Sequence, residues 1–260
     1  MTAATPASGP LLFVRFAYPP NALGYCGPDA DDVLLDYAAA GTADPGLRQL
    51  ARGFSGAWPY LETIAHASGL ADPLDRRVVE AYWLGNQLLD AVDAARLGRS
   101  LEERFRPVAG RDWPRLDAII QRAPRPHHNF HVFCIYPWVG LLRAAATGHA
   151  LHVLDRCRVR WGRLREIAAG GTAVVDSSPL TWDGHHLGLG MTRPEVVTIA
   201  QGGRSLTSTL APGDLVACHW DWVCHQLTPR QARNLRAETA TQLDLVNRRL
   251  ADPPPAAVLT

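Results

Sequence analysis

Long apolar runs are missing from this sequence: no stretch approaches the roughly 20 residues that cross a bilayer, so a membrane-spanning helix is not expected. A charged leader running into an apolar segment is missing as well. The five cysteines, Cys26, Cys134, Cys157, Cys218 and Cys224, are an odd number without CxxC spacing. That composition argues against a disulfide-stapled secreted scaffold and makes a reducing cytoplasm the expected location. Net charge is almost absent, with 26 basic residues, supplied by arginine, against 25 acidic ones. No overall field therefore draws the chain to nucleic acid or to an acidic membrane. Neither a phosphate-binding loop, nor a dinucleotide fingerprint, nor a Gly-x-Ser-x-Gly elbow is found.

What is present suits a globular protein that folds without metal or disulfide staples: 260 residues, 47% of them hydrophobic and 20% charged. The first ten residues and the Pro253-Pro254-Pro255 tail read as loose ends. Helical spacing covers Asp29 to Ala40, Trp58 to Ser68, and a longer run capped at Asp72 with Val78, Val79, Tyr82, Leu88, Leu89 and Val92 along one stripe to Gly98. Trp113-Pro114 opens another short helical run, and Pro137 starts a helix that Gly148 closes. From about Leu151 the texture changes. Val159 to Ile167, Thr172 to Val175, Glu195 to Ala200, Ser205 to Thr209 and Leu215 to Val223 are short β-prone runs divided by glycine-rich turns. A helix follows from Thr228, where Thr228 and Gln231 make a capping box around Pro229. The fold class is α+β: a mainly helical domain over residues 1–150, a small OB-like β-barrel plus C-terminal helix over 151–250, and a flexible tail over 251–260.

Two motifs stand in order within the β-rich part. Cys157-Arg158-Val159-Arg160-Trp161-Gly162-Arg163 opens the first strand, and about sixty residues after Cys157 the run Leu210-Ala211-Pro212-Gly213-Asp214-Leu215-Val216-Ala217-Cys218-His219 enters the last. With the helix after Thr228, they resemble the HypC/HybG family of [NiFe]-hydrogenase maturation chaperones over the last two-fifths of the chain. The resemblance implies an OB-like barrel that carries an Fe(CN)2CO fragment and binds the hydrogenase large subunit and other maturation proteins. Carried over by position, Cys157 and His219 would hold the cofactor, while Gly162, Pro212, Gly213 and Asp214 would serve partner binding. The chemistry is compatible, since thiolate and neutral imidazole are donors that such iron accepts, and flanking Arg156 and Arg158 would favour the thiolate. The sequence departs from the family in that Cys157 is internal and Trp161 stands where proline precedes the glycine.

A second constellation is His127-His128-x-x-His131-x-x-Cys134. On a helix, His127 with His131, or His128 with His131 and Cys134, would share a face and suit metal ligation; histidines that merely bond a buried turn are the plain alternative. No glutamate separates them as in a zincin. Tyr18-Pro19-Pro20-Asn21 and Gly24-Tyr25-Cys26-Gly27-Pro28 have the turn-forming density of a loop, more often a tightly packed N-terminal wrap, in which Cys26 could be a further thiol near such a site; Cys218 and Cys224 read as core fillers because His219 shares strand parity with neither. Together with Tyr82-Trp83-Leu84-Gly85-Asn86, these runs also resemble, more vaguely, an uncharacterised actinobacterial family associated with hydrogenase genes. The expectation is an assembly factor or carrier rather than an enzyme. The alternatives are a metalloenzyme centred on His127, His128 and His131, with diatomic ligand supply as one role open to it, and a purely structural interaction protein.

Overall fold

A computed structural model describes residues 7–109, 125–143, 147–207 and 209–251. The helical run expected at Trp113, the tail and the first six residues lie outside them.

The chain opens with α1 (Gly9–Ala22), in which nearly every residue from Gly9 to Asn21 is buried. Sequence reading placed a loose end and a proline-rich loop here. A helix enclosed on all sides has no polar face, so it lacks the 3.6-residue alternation by which helices are found. Pro19 and Pro20 sit inside its last turns. Having no N–H, they leave the carbonyls of Arg15 and Phe16 without their usual helical partners. Helices α2 (Asp31–Ala40), α3 (Pro45–Arg52) and α5 (Arg76–Leu84) pack around it, and α4 (Trp58–Ala67) packs on α5.

The long helix expected from Asp72 is in fact two. Asp75 caps α5 through the Arg77 N–H, and Gly85, at φ 82°, ends it. A Cβ at Gly85 would come within 2.6 Å of Glu238 Cγ on the C-terminal helix, so close approach as well as backbone conformation selects glycine there. A 3₁₀ turn (Gln87–Ala91) and α6 (Ala94–Ala109) follow.

The short helix α7 (His128–Phe130) runs straight into a π-helical turn (His131–Ile135), closed by the Tyr136 N–H donating to the His131 carbonyl at 3.1 Å. A 3₁₀ stretch (Pro137–Arg143) and α8 (Thr147–Cys157) come next. Cys157 thus ends a helix instead of opening a strand.

Seven strands follow: β1 (Arg160–Ala168), β2 (Thr172–Ser177), β3 (Leu180–Trp182), β4 (Leu187–Leu189), β5 (Arg193–Thr198), β6 (Leu215–His219) and β7 (Trp222–Gln226). The expected single strand from Leu215 to Val223 is a hairpin, turning at Trp220 with φ 49°, and Ser205 to Thr207 forms no strand.

The strands β1, β2, β5, β7 and β6 close into a barrel in that order, and what differs from expectation is which runs supply them. The ring β1-β2-β5-β7-β6 has antiparallel ladders at four junctions, but β5 and β7 meet only at one parallel pair, Thr198 with Trp222. β3 and β4 form a separate two-stranded sheet. The ring is therefore closed, with its shortest seam between β5 and β7 and the β3–β4 hairpin outside it.

Inside the curl, Leu164, Ala173, Val175, Val197, Val216, Cys218 and Val223 form a small apolar core. The larger core runs through α1 to α8 and continues without a break to Ala217, Trp220, Trp222 and Cys224 on the strands. Helix α9 (Pro229–Ala251) covers both parts. It starts with the expected capping box: the Thr228 N–H donates to Gln231 Oε1 at 2.9 Å, and the Gln231 N–H to Thr228 Oγ1 at 3.2 Å.

Candidate metal centre

Where the helices meet the end of β6, three side chains converge. The candidate donor atoms of His128, Cys157 and His219 all lie within 4.8 Å of one another, and all three residues are buried. Each arrives on a different element for a local reason, and each histidine is fixed by a backbone carbonyl that its own helix leaves free.

His219 is the last residue of β6, facing away from the strand core toward α1. Its Nδ1 lies 2.6 Å from the Phe16 carbonyl, the one that Pro20 leaves without a helical donor. A carbonyl only accepts, so Nδ1 carries the proton and Nε2 holds the lone pair. That Nε2 is buried and has no hydrogen-bond partner. His128 is held in the same manner. Its Nε2 donates to the Cys157 carbonyl at 2.8 Å, an acceptor free at the C-terminus of α8, and its Nδ1 accepts from Tyr82 Oη at 3.3 Å. For His219, one nitrogen anchored to a carbonyl and the other without a partner is the usual arrangement around a metal-binding histidine.

The two rings stand nearly perpendicular with centroids 4.9 Å apart, and Trp83 packs on both. Bonds of about 2.0–2.3 Å place two donors at most about 4–4.6 Å apart, so these three need close only slightly to share one ion.

The electrostatics are those of a dry, neutral site. Burial lowers the His128 pKa to about 4 and pushes that of His219 well below the ordinary value. Burial likewise raises the Cys157 thiol far above its usual range, opposed by the nearby Trp220 indole. The arginines expected to favour the thiolate are engaged elsewhere. Arg156 pairs with Glu195 at 2.6 Å, and Arg158 with Asp155 at 2.9 Å. A bound cation would supply the missing charge, since a coordinating thiol loses its proton to the metal.

The other sequence candidates are distributed differently. His127 is buried but does not line the site; its Nδ1 accepts the Asn129 N–H and caps α7. His131 lines the adjoining cavity, with Nδ1 3.0 Å from Tyr60 Oη. The expected face of His128, His131 and Cys134 assumes regular helix, and the switch to π-helical pitch at His131 breaks it. Cys26 lines the cavity, while Cys218 fills the strand core. Trp220 stacks on Tyr25 with centroids 4.5 Å apart.

Gly162 packs against Val175 and Asp176, and Gly213, at φ 95°, accepts from Arg163 Nη1 at 2.6 Å. Asp214 accepts the Ala211 N–H at 2.8 Å, closing the turn that contains Pro212. This turn lies at the opposite end of β6 from His219, roughly 17 Å away at ~3.4 Å per residue. Sequence reading did not find Phe16 or Trp83 as supports of the site, and only the proline pair in α1 carried a signal for the first.

A family of unknown function (DUF6390) matches residues 5–253, and the chain belongs to it. No curated protein and no solved structure matches the chain. The family description names no role in hydrogenase maturation, and what the site itself shows is a buried His/His/Cys metal-ligand cluster. No helix among the described residues is long and apolar enough to cross a membrane.

Proposed function

We propose that this protein is a metalloenzyme whose ion is held by His128, Cys157 and His219. The observation that carries the reading is the convergence of three buried ligating side chains, His128, Cys157 and His219, with donor atoms within 4.8 Å of one another, His219 Nε2 among the buried atoms without a hydrogen bond. A buried polar atom without a partner is costly, and a metal would satisfy it. Two imidazoles and one thiolate suit zinc or copper. Three protein donors beside a cavity leave a coordination position for a reacting ligand, the pattern that separates catalytic from structural zinc sites. When bound, the ion supplies Lewis acidity at that position. The chain's own part is to fix both imidazole tautomers through Phe16 and Cys157, to exclude bulk water with Trp83 and Trp220, and to provide the thiol.

A second reading, an Fe(CN)2CO fragment on the same thiolate and imidazoles, is supported by the meeting of Cys157 with His219. Burial of both makes handover to a partner harder than residence. Metal analysis of anaerobically purified protein tests the proposal. About one equivalent of zinc or copper, lost in Cys157→Ser and in His219→Ala, is the expected result. Iron accompanied by infrared bands of bound CO and CN would favour the second reading, and metal-free protein that takes up none of these ions would overturn both.

A further inference from the structure

The cavity beside the triad is about 240 Å³ and is lined by the three donor residues, Cys26, His131 and seven aromatic side chains, among them Phe54, Trp83, Trp138 and Trp220. No arginine, aspartate or glutamate stands among its described lining residues. Its titratable members resist charging: burial lowers the His131 pKa to about 3 and raises the Cys26 thiol to about 12. An ionised ligand would therefore enter without a counter-charge from the wall, and burying an unpaired charge is among the most unfavourable things a protein interior can do.

Size sets the other bound. An apolar cavity of about 150 Å³ accommodates benzene, so this space takes a fused two-ring molecule or a single ring with substituents. The wall is built for flat faces. Tyr25 stacks on Trp220 at its outer side, and Trp83 lies edge-on to Tyr82 at 4.8 Å. Gly24 and Gly27, both at positive φ, allow the Leu23–Asp29 loop to carry Tyr25 and Cys26 onto the cavity, and Asn21 Nδ2 holds that loop through the carbonyls of Cys26 and Pro28 at 2.8 and 2.6 Å.

We infer that the cavity binds a small, uncharged, largely aromatic molecule bearing a single neutral donor, a hydroxyl, thiol or carbonyl, directed at the triad. The size and charge of the ligand follow from the cavity alone, and only the direction of its donor rests on the proposed metal site.

The probes are 2-naphthol and 2-naphthoate, matched in ring size and differing in charge, titrated calorimetrically into the metal-free full chain. We expect 2-naphthol to bind at least about tenfold tighter, and Val153→Phe, which fills the cavity from α8, to weaken it by a similar factor. Should Val153→Phe fail to fold, Ala57→Leu fills the same space from the start of α4 with a smaller increment. Equal or tighter binding of 2-naphthoate, or naphthol binding that ignores the filling substitution, would overturn the inference. Uptake of zinc is measured on a second aliquot of the same metal-free preparations. Protein that holds metal but discriminates against 2-naphthol loses this inference and keeps the metal site; protein that binds 2-naphthol in the cavity but takes up no metal keeps this inference and loses the metal site.

Discussion

Cys218 and His219 are neighbours on one strand, yet they belong to two different chemistries. Cys218 points into the strand core among Val216, Val223 and Leu164, where nothing asks for a donor atom. His219 points out of the same strand into the helical layer, where a freed carbonyl fixes its proton and a thiol and a second imidazole face its lone pair. Strand alternation makes the separation. The same contrast holds between the two ends of β6. The Gly213 turn is a set of satisfied backbone hydrogen bonds, while the His219 end retains an unsatisfied buried nitrogen. A reactive site is recognised here by what its surroundings leave unfinished, more than by which residue types it contains.

The sharpest way to break this comparison is the same substitution on both sides of it. Cys157→Ser removes the soft donor and should reduce bound metal from about one equivalent to none. Cys218→Ser should leave metal content unchanged and instead cost about 1–3 kcal/mol of stability, because a hydroxyl is buried without a partner. Elemental analysis and urea unfolding of the two variants side by side separate these outcomes.

Next in size is the support of His219. Pro20→Ala restores an N–H to α1 and offers the Phe16 carbonyl a helical donor in competition with the imidazole. Loss of such an anchoring hydrogen bond costs about 10–100-fold in metal affinity, and competition titration against a chelator should show a loss at the lower end of that range with the fold retained by circular dichroism.

The smallest effect concerns pH. His225, partly buried on β7, has its pKa lowered to about 4 by burial and by nearby Arg15 and Arg76. Folding favours its neutral form, so its contribution is complete above the unfolded value near 6.5 and is lost as pH falls from there to about 4. The loss is at most about 1.4 kcal/mol per pH unit. Urea unfolding of metal-free protein at pH 7 and pH 5 should therefore show a smaller drop in His225→Gln than in the parent. Identical drops would assign the acid sensitivity to other groups.

The contrast also explains which parts could be read from the sequence. The order of Cys157 and His219 was visible as two linked motifs, and the parity of β6 correctly set Cys218 apart. His128 could be named but not distinguished from His127 and His131, because the distinction arises from the π-helical turn, which no simple spacing announces. Helix α1 was invisible because it is apolar all round, and with it went the Phe16 carbonyl. Gly85 was read as part of a continuing apolar stripe, although its approach to Glu238 on α9 ends the helix. In each case the missing information was tertiary: another element, distant in sequence, decided the local outcome.

Cobalt substitution tests the central claim most directly, since Co(II) reports its ligands optically and requires no knowledge of the reaction. Anaerobic titration of the metal-free full chain should saturate near one equivalent, with a thiolate-to-cobalt charge-transfer band that vanishes in Cys157→Ser and persists in Cys218→Ser. Failure to bind cobalt, or a thiolate band that survives Cys157→Ser, would contradict the assignment of His128, Cys157 and His219 as a metal centre.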